Sequence, residues 1–423
     1  MRQLFRNRDF TLLFLGRLVT NAGDSLYAVS AMWLVYSLTG STFYTGVAGF
    51  LTLGMQALQA FVGPLVDRWP LRRTLVWTQA VQAVLVLTVP VAHVTGHLSV
   101  WLVLAVMPLL SLLNQFVYPA GTAALPRIVD EEELTAANSL FATTYQGSEL
   151  VFNALAGVLV TAVGAVTLFA VDSVTFAVAV ALFAGLRVPP ADRDAATDQT
   201  PAAAAPASYL TDLREGFAFV RGSRLVWILG ASVVANGLLG MAWPVLPAYA
   251  DLRGDASLYG YLLAALAGGA LFGTIVAPRF QHVHFGRLSL VAYSLSAVAW
   301  LGAVAAESVP ATVALFALAF VPLGVTNTVV TTLLQRLVPE SMLGRVVAAL
   351  GSAGTAVVPF GGLLGGALGE VYGPVAVLYA GGVGFAWIVL YVACVPALRR
   401  MPAVTAVDPE RDRLGVGDAR IAE

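Results

Sequence analysis

Three residues of the first long apolar stretch, Arg17, Asn21 and Asp24, are spaced i, i+4, i+7 and therefore share one helix face. A charge in hydrocarbon is costly, so it normally faces a bundle interior and marks an ion or substrate path. Asp24 stands about fifteen residues into its stretch, roughly 22 Å along a helix. At that depth it suits proton coupling or cation binding, with a hydrogen-bonded structural acid as the alternative. Arg17 lies nearer the end, where it could snorkel or serve in pairing or gating. Glu149, with Gln146 and Asn153 on its face, offers a second carboxyl deep enough to exchange protons. Asp172 is a third buried acid, in a setting that also reads as helix packing. Gln56, Asn114, Gln115, Tyr118, Asn236 and Asn327 supply further polar side chains in apolar surroundings, as cavity lining or as glue between helices.

Several other chemistries are unsupported. All 23 basic residues are Arg, so neither the Lys of a phosphate-binding Walker loop nor a Schiff-base amine is encoded. One cysteine, Cys394, and four histidines make a metal site improbable. No metal or cofactor is expected. An enzyme would need a nucleophile with a base, or metal ligands, at one depth, and no such cluster stands out. No basic, aromatic-interleaved stretch suggests nucleic acid as a partner.

These residues must be positioned by membrane helices. The 423-residue chain is 58% hydrophobic and 11% charged, with a mean hydropathy of +0.81, and about 20 apolar residues cross a bilayer. Apolar runs predict spans near 10–38, 43–65, 74–94, 98–120, 138–163, 165–187, 224–247, 257–278, 287–306, 310–334, 346–369 and 374–397. Of the arginines, 21 fall in alternate connections or at the termini; short loops rich in Arg stay inside, which predicts both termini in the cytoplasm. Arg17 and Arg253 break that pattern, and Arg253 reads as an external loop residue beside Asp251 and Asp255. The run after Arg8 is too long for a signal core.

The Pro- and Ala-rich segment after Val188 divides the chain into a bundle over 1–187, a linker over 188–223, a second bundle over 224–397 and a tail over 398–423. Within the linker, Tyr209 to Arg224 reads as an amphipathic surface helix. Leu125-Pro126-Arg127-Ile128-Val129-Asp130-Glu131 recurs as Leu334-Gln335-Arg336-Leu337-Val338-Pro339-Glu340, an offset of 209 residues that also relates Gly157 to Gly366. The reading is an all-α membrane protein, twelve transmembrane helices in two pseudo-symmetric six-helix bundles, a known transporter plan. Trp243-Pro244 should bend its span.

After the second span, Gly63-Pro64-Leu65-Val66-Asp67-Arg68-Trp69-Pro70-Leu71-Arg72-Arg73 resembles the signature loop of the major facilitator superfamily. Gly63, Leu65, Asp67, Arg68, Arg72 and Arg73 match, whereas Pro70 and Leu71 depart. Gly23-Asp24, the run Trp33 to Ser41, the loop Leu125 to Asn138 and Asp172-Ser173-Val174-Thr175-Phe176 resemble macrolide-efflux and enterobactin-exporter-like members, a drug:proton antiporter branch. The fourth span lacks that branch's Arg, and the fifth lacks its Gly-Pro, to which Pro359-Phe360-Gly361-Gly362 is closer.

The resemblance implies the major facilitator fold and proton-coupled efflux of amphiphilic or drug-like small molecules, of macrolide or siderophore type, by alternating access. The expected partners are a small-molecule substrate, protons and the lipid bilayer, for a monomer in the cell membrane. An importer on the same fold and a non-transporting scaffold or receptor remain as alternatives, since a fold does not set direction or activity.

Overall fold

The computed structural model describes residues 4–56, 69–189, 205–254 and 256–407. Among them the chain is helical, without strands, and nine helical spans are long and apolar enough to cross a membrane. We number the main helices α1 (Arg8–Thr39), α2 (Thr42–Gln56), α3 (Leu71–Val94), α4 (Val100–Ala124), α5 (Leu134–Val163), α6 (Ala165–Ala184), α7 (Ala205–Arg221), α8 (Leu225–Gly240), α9 (Leu246–Arg253), α10 (Ala256–Val276), α11 (Phe285–Ala305), α12 (Val309–Leu337), α13 (Glu340–Ala356), α14 (Val358–Tyr372) and α15 (Pro374–Cys394). Outside those nine, α1 and α5 overlap the expected spans 10–38 and 138–163, and α2 overlaps the first part of 43–65, whose remainder lies outside the described residues.

The chain forms two compact units, one of Met1–Gly40, Val47–Ser208 and Gly254–Gly260, the other of Ser41–Gly46, Tyr209–Arg253 and Tyr261–Glu423. In the first unit α6 packs along α1 and α3, and α3 along α4. The second unit repeats the scheme, with α15 along α8 and α11, and α11 along α12. Bundles of apolar helices gain little from apolar burial inside lipid, so close backbone approach at small residues decides which helices meet. A Cβ on Gly16 would fall 2.2 Å from the Phe183 ring, and one on Gly23 would fall 2.3 Å from Asp172 Oδ1. Those two glycines, seven residues apart on one face of α1, admit α6. In the second unit Gly269 and Gly273 of α10 lie against the Ala317 and Val321 carbonyls of α12, and Gly324 of α12 lies against Ala270.

Caps and clasps end these helices. Asn7 starts α1 by accepting from the Asp9 and Phe10 amides at 3.0 and 3.1 Å, while its own amide donates to the Ile128 carbonyl at 2.7 Å. Arg72 donates to the Ala184 carbonyl at the end of α6, where a cation also suits the helix dipole. Arg73 is exposed. The other signature-loop positions, Gly63, Leu65, Asp67 and Arg68, lie outside the described residues.

The seventh expected span is interrupted at Trp243-Pro244, as the proline suggested: α8 gives way to a tight turn over Trp243–Val245 before α9. There the Pro244 carbonyl accepts from Thr45 at 2.7 Å. Arg253, read from sequence as a loop residue, instead closes α9. Its guanidinium lies 5.1 Å from the Tyr249 ring centre and donates to the carbonyls of Val304 and Ala306. The eleventh expected span is also interrupted, into α13 and α14 at Val357, because Pro359 has no amide to donate to Thr355. α14 then packs on α8, with Gly361 against the Gly237 carbonyl and Gly365 against that of Met241.

The amphipathic linker segment is helical as α7, and it docks on α13. Arg345 pairs with Asp212 at 2.7 Å and Glu215 at 2.9 Å, all three side chains being roughly half exposed. A Cβ on Gly216 would fall 2.2 Å from the Arg345 carbonyl oxygen. Exposed ion pairs contribute about 0–1 kcal/mol, whereas overpacking costs about 1–3 kcal/mol. We therefore expect Gly216→Leu to destabilise the protein more than Arg345→Ala, measured by unfolding in detergent; the reverse order would mean that charge holds this helix.

Candidate functional site

The first unit encloses a cavity of about 780 Å³, and most of the residues singled out in its sequence line it. Arg17, Asn21 and Asp24 enter from α1, as their shared face requires; Asn114, Gln115 and Tyr118 enter from α4, and Asn153 from α5. Met107, Leu110 and Phe141 add apolar wall. Among the described residues the lining is thus mixed: one cation, one carboxyl, amides and hydroxyls, set into hydrophobic surface.

Each polar group is held differently. Arg17 lays its guanidinium 5.8 Å from the centre of the Tyr118 ring, a cation–π contact worth about 0.5–1 kcal/mol or more when water is excluded. Among the described residues the ion pairs are those of Arg345, so Arg17 and Asp24 face one cavity without direct pairing. Asp24 instead accepts from Asn114 Nδ2 at 3.5 Å. Gln115 donates to the Ser111 carbonyl of its own helix at 3.2 Å, and Ser111 donates to the Thr52 carbonyl at 2.8 Å, tying α4 to α2.

Asp172 does not line the cavity. It is fully buried behind α1, where one oxygen accepts from Thr175 at 3.0 Å and the other has no hydrogen-bond partner among the described residues. The buried Tyr27 hydroxyl likewise has no hydrogen-bond partner among the described residues. In the second unit Asn236 donates to the Gly354 carbonyl at 2.9 Å, joining α8 to α13, and Asn327 is exposed on α12. Glu149 falls on α5 and Gln56 ends α2, but both side chains lie outside the described ones.

Two residues passed over in the sequence reading complete the site. Gln79 and Gln82 on α3 are both fully buried. Gln79 Nε2 donates to Gln82 Oε1 at 2.9 Å, and Gln82 Nε2 donates to Asn114 Oδ1 at 2.9 Å. With the Asn114 to Asp24 contact they make an unbroken polar chain from the interior of α3 to the cavity carboxyl. The available signal was two amides at i, i+3 in an otherwise apolar span.

A unit of apolar helices with a polar cavity inside it suits the holding of a small molecule within a membrane, and comparison with known proteins agrees. The sequence model of the Major Facilitator Superfamily matches residues 13–357. The chain belongs to that superfamily. It is similar to the multidrug efflux pump Tap of Mycolicibacterium fortuitum, 25% identical over 86% of this chain and 89% of that protein. It is also similar to the enterobactin exporter EntS of Escherichia coli O1:K1 / APEC, 27% identical over 94% of this chain and 95% of that one. The crystal structure of a bacterial homologue of the iron transporter ferroportin in an inward-facing state superposes with a TM-score of 0.67 at 18% identity, over 92% of this chain and 98% of that one, a likeness of fold. The protein is therefore a multi-pass membrane transporter of small molecules and not an enzyme.

Proposed function

We propose that this superfamily member exports amphiphilic or drug-like molecules, of macrolide or siderophore type, in exchange for protons. The observation that carries the reading is the cavity itself: about 780 Å³ is within the roughly 300–1,000 Å³ of sites that hold drug-sized ligands, and it has one carboxyl at its wall. Apolar surface from Met107, Leu110 and Phe141 suits the body of an amphiphile, while Arg17, Asp24 and the amides suit its polar groups. In this scheme Asp24, seconded by Glu149, binds either a proton or a cationic group of the substrate, so protonation from outside releases the load. Export accords with the names of the two relatives. The arginine pattern supports a cell-membrane protein with both termini in the cytoplasm, and one chain, with its own cavity, suffices as the working monomer.

The test is efflux from proteoliposomes of macrolides, cationic dyes and siderophores, with and without an imposed pH gradient. Gradient-dependent movement of at least one class is expected; no movement of any class would leave the scaffold reading in its place. One substitution checks the site independently of coupling. Ala28 lines the cavity with an exposed side chain, so Ala28→Trp should fill part of the binding volume without disturbing helix contacts. We expect substrate binding to weaken about tenfold or more, a loss of about 1.4 kcal/mol or more of contact, with unfolding in detergent unchanged. Unaltered binding would place the substrate elsewhere.

A further inference from the structure

The amides of Gln79, Gln82 and Asn114 run in one direction. Every one donates toward the cavity, from Gln79 to Gln82, from Gln82 to Asn114 and from Asn114 to Asp24. That polarity serves an ionised carboxylate, which only accepts; a protonated carboxyl has an O–H to give and needs an acceptor. The two ends of an amide are nearly equal in size, so each of the three can turn over in its place. Turning all three reverses the chain. Asp24 would then donate to Asn114 Oδ1, Asn114 Nδ2 to Gln82 Oε1, and Gln82 Nε2 to Gln79 Oε1, with every contact kept.

Among the described residues nothing opposes this at the far end. Gln79 Oε1 is buried and has no hydrogen-bond partner among the described residues, so no neighbour fixes which way that amide points. The direction of the chain is set at the Asp24 end alone. Resting on the reading of Asp24 as the coupling carboxyl, we infer that Gln79, Gln82 and Asn114 form a reversible hydrogen-bond relay whose direction follows the protonation of Asp24. Gln79 and Gln82 are accordingly positioning residues: they touch no substrate but hold Asn114 in whichever orientation the carboxyl requires. A buried polar group left without a partner is costly, and the relay spares Asp24, Asn114 and Gln82 a mismatched contact in both protonation states, leaving only the far end of Gln79 without a partner among the described residues. Among the described residues, the other charged or titratable groups facing Asp24 are Arg17 and Tyr27 of its own helix and Asp172 of α6, with Tyr118 of α4 and Tyr145 of α5 beyond, facing Arg17. None belongs to the amide chain.

Infrared difference spectra between acid and alkaline pH test this on the full-length protein in bilayers, with glutamine labelled by heavy nitrogen in its side chain. The wild type should show a protonated-carboxyl band that Asp24→Asn removes, accompanied by an isotope-sensitive glutamine band. Gln82→Met should abolish the glutamine band and keep the carboxyl band, whereas Gln79→Met should keep about half of it, since one relay glutamine remains. A carboxyl band with no glutamine band in the wild type, which needs no substitution at all, overturns the relay and leaves the coupling role of Asp24 standing. A glutamine band that survives Gln82→Met overturns it too. Absence of any Asp24-dependent carboxyl band overturns both.

Discussion

Asn in place of Asp24 should leave substrate exchange running and remove its dependence on a pH gradient. The two side chains have nearly the same shape, so the lining of the cavity is preserved and Asn114 keeps a carbonyl oxygen to donate to. The variant cannot gain or lose a proton. Counterflow, in which labelled substrate exchanges for unlabelled with no net proton movement, loses at most one hydrogen bond, an effect of about 2–10-fold. Gradient-driven efflux should fall to the rate of vesicles without protein. Arg17 then faces the cavity with no carboxyl beside it among the described lining residues, so anionic substrates should be bound better by the variant than cationic ones. Glu149→Gln, made alongside, measures how much the second carboxyl contributes. Full gradient-driven transport in both variants would make the proton-exchange mechanism wrong, and full transport in Asp24→Asn alone would transfer the role to α5.

How far the site could be read in advance depended on whether its geometry is local. Arg17, Asn21 and Asp24 are joined by helical periodicity, which sequence spacing expresses directly, and they do share the cavity. Asn114, Gln115 and Tyr118 were found for the same reason, as a cluster within one apolar run. Gln79 and Gln82 were missed because their meaning depends on Asn114, 32 residues beyond Gln82 in another helix. Asn236 shows the second of its two readings, glue between helices: its amide holds the Gly354 carbonyl, 118 residues away. Polar residues in apolar helices announce a partner but not which one. The fold was legible at a coarser level, since apolar length and arginine placement are set by the bilayer rather than by neighbours. The break at Val357 is the exception: Pro359 marks it, while the apolar run through 346–369 predicts one continuous span.

Leu in place of Gly366 should be the most destabilising of the substitutions considered. The repeat offset already singled out Gly157 and Gly366 as counterparts, and each meets another glycine across a helix contact. A Cβ on Gly157 would fall 2.3 Å from Gly260 Cα; one on Gly366 would fall 2.5 Å from the Thr42 carbonyl oxygen and 2.9 Å from Gly46 Cα. Backbone cannot yield as a side-chain tip can, so the helices must separate. Separation of α2 from α14 also breaks what the contact carries, Thr42 Oγ1 donating to the Gly366 carbonyl at 2.8 Å and Ser41 Oγ to Glu370 at 2.7 Å. Overpacking alone costs about 1–3 kcal/mol, and hydrogen bonds between membrane helices add about 0.6 kcal/mol each. The sum, roughly 2–4 kcal/mol, should appear as earlier unfolding on titration with a denaturing detergent, and Gly157→Leu should follow it. Gly362→Ala is the control, because a Cβ there would meet only the Gly240 carbonyl oxygen at an ordinary 3.7 Å. If Gly366→Leu unfolds like the control, the close approach of α2 to α14 does not hold these helices together, and the repeat relation between the two glycines has no structural cause.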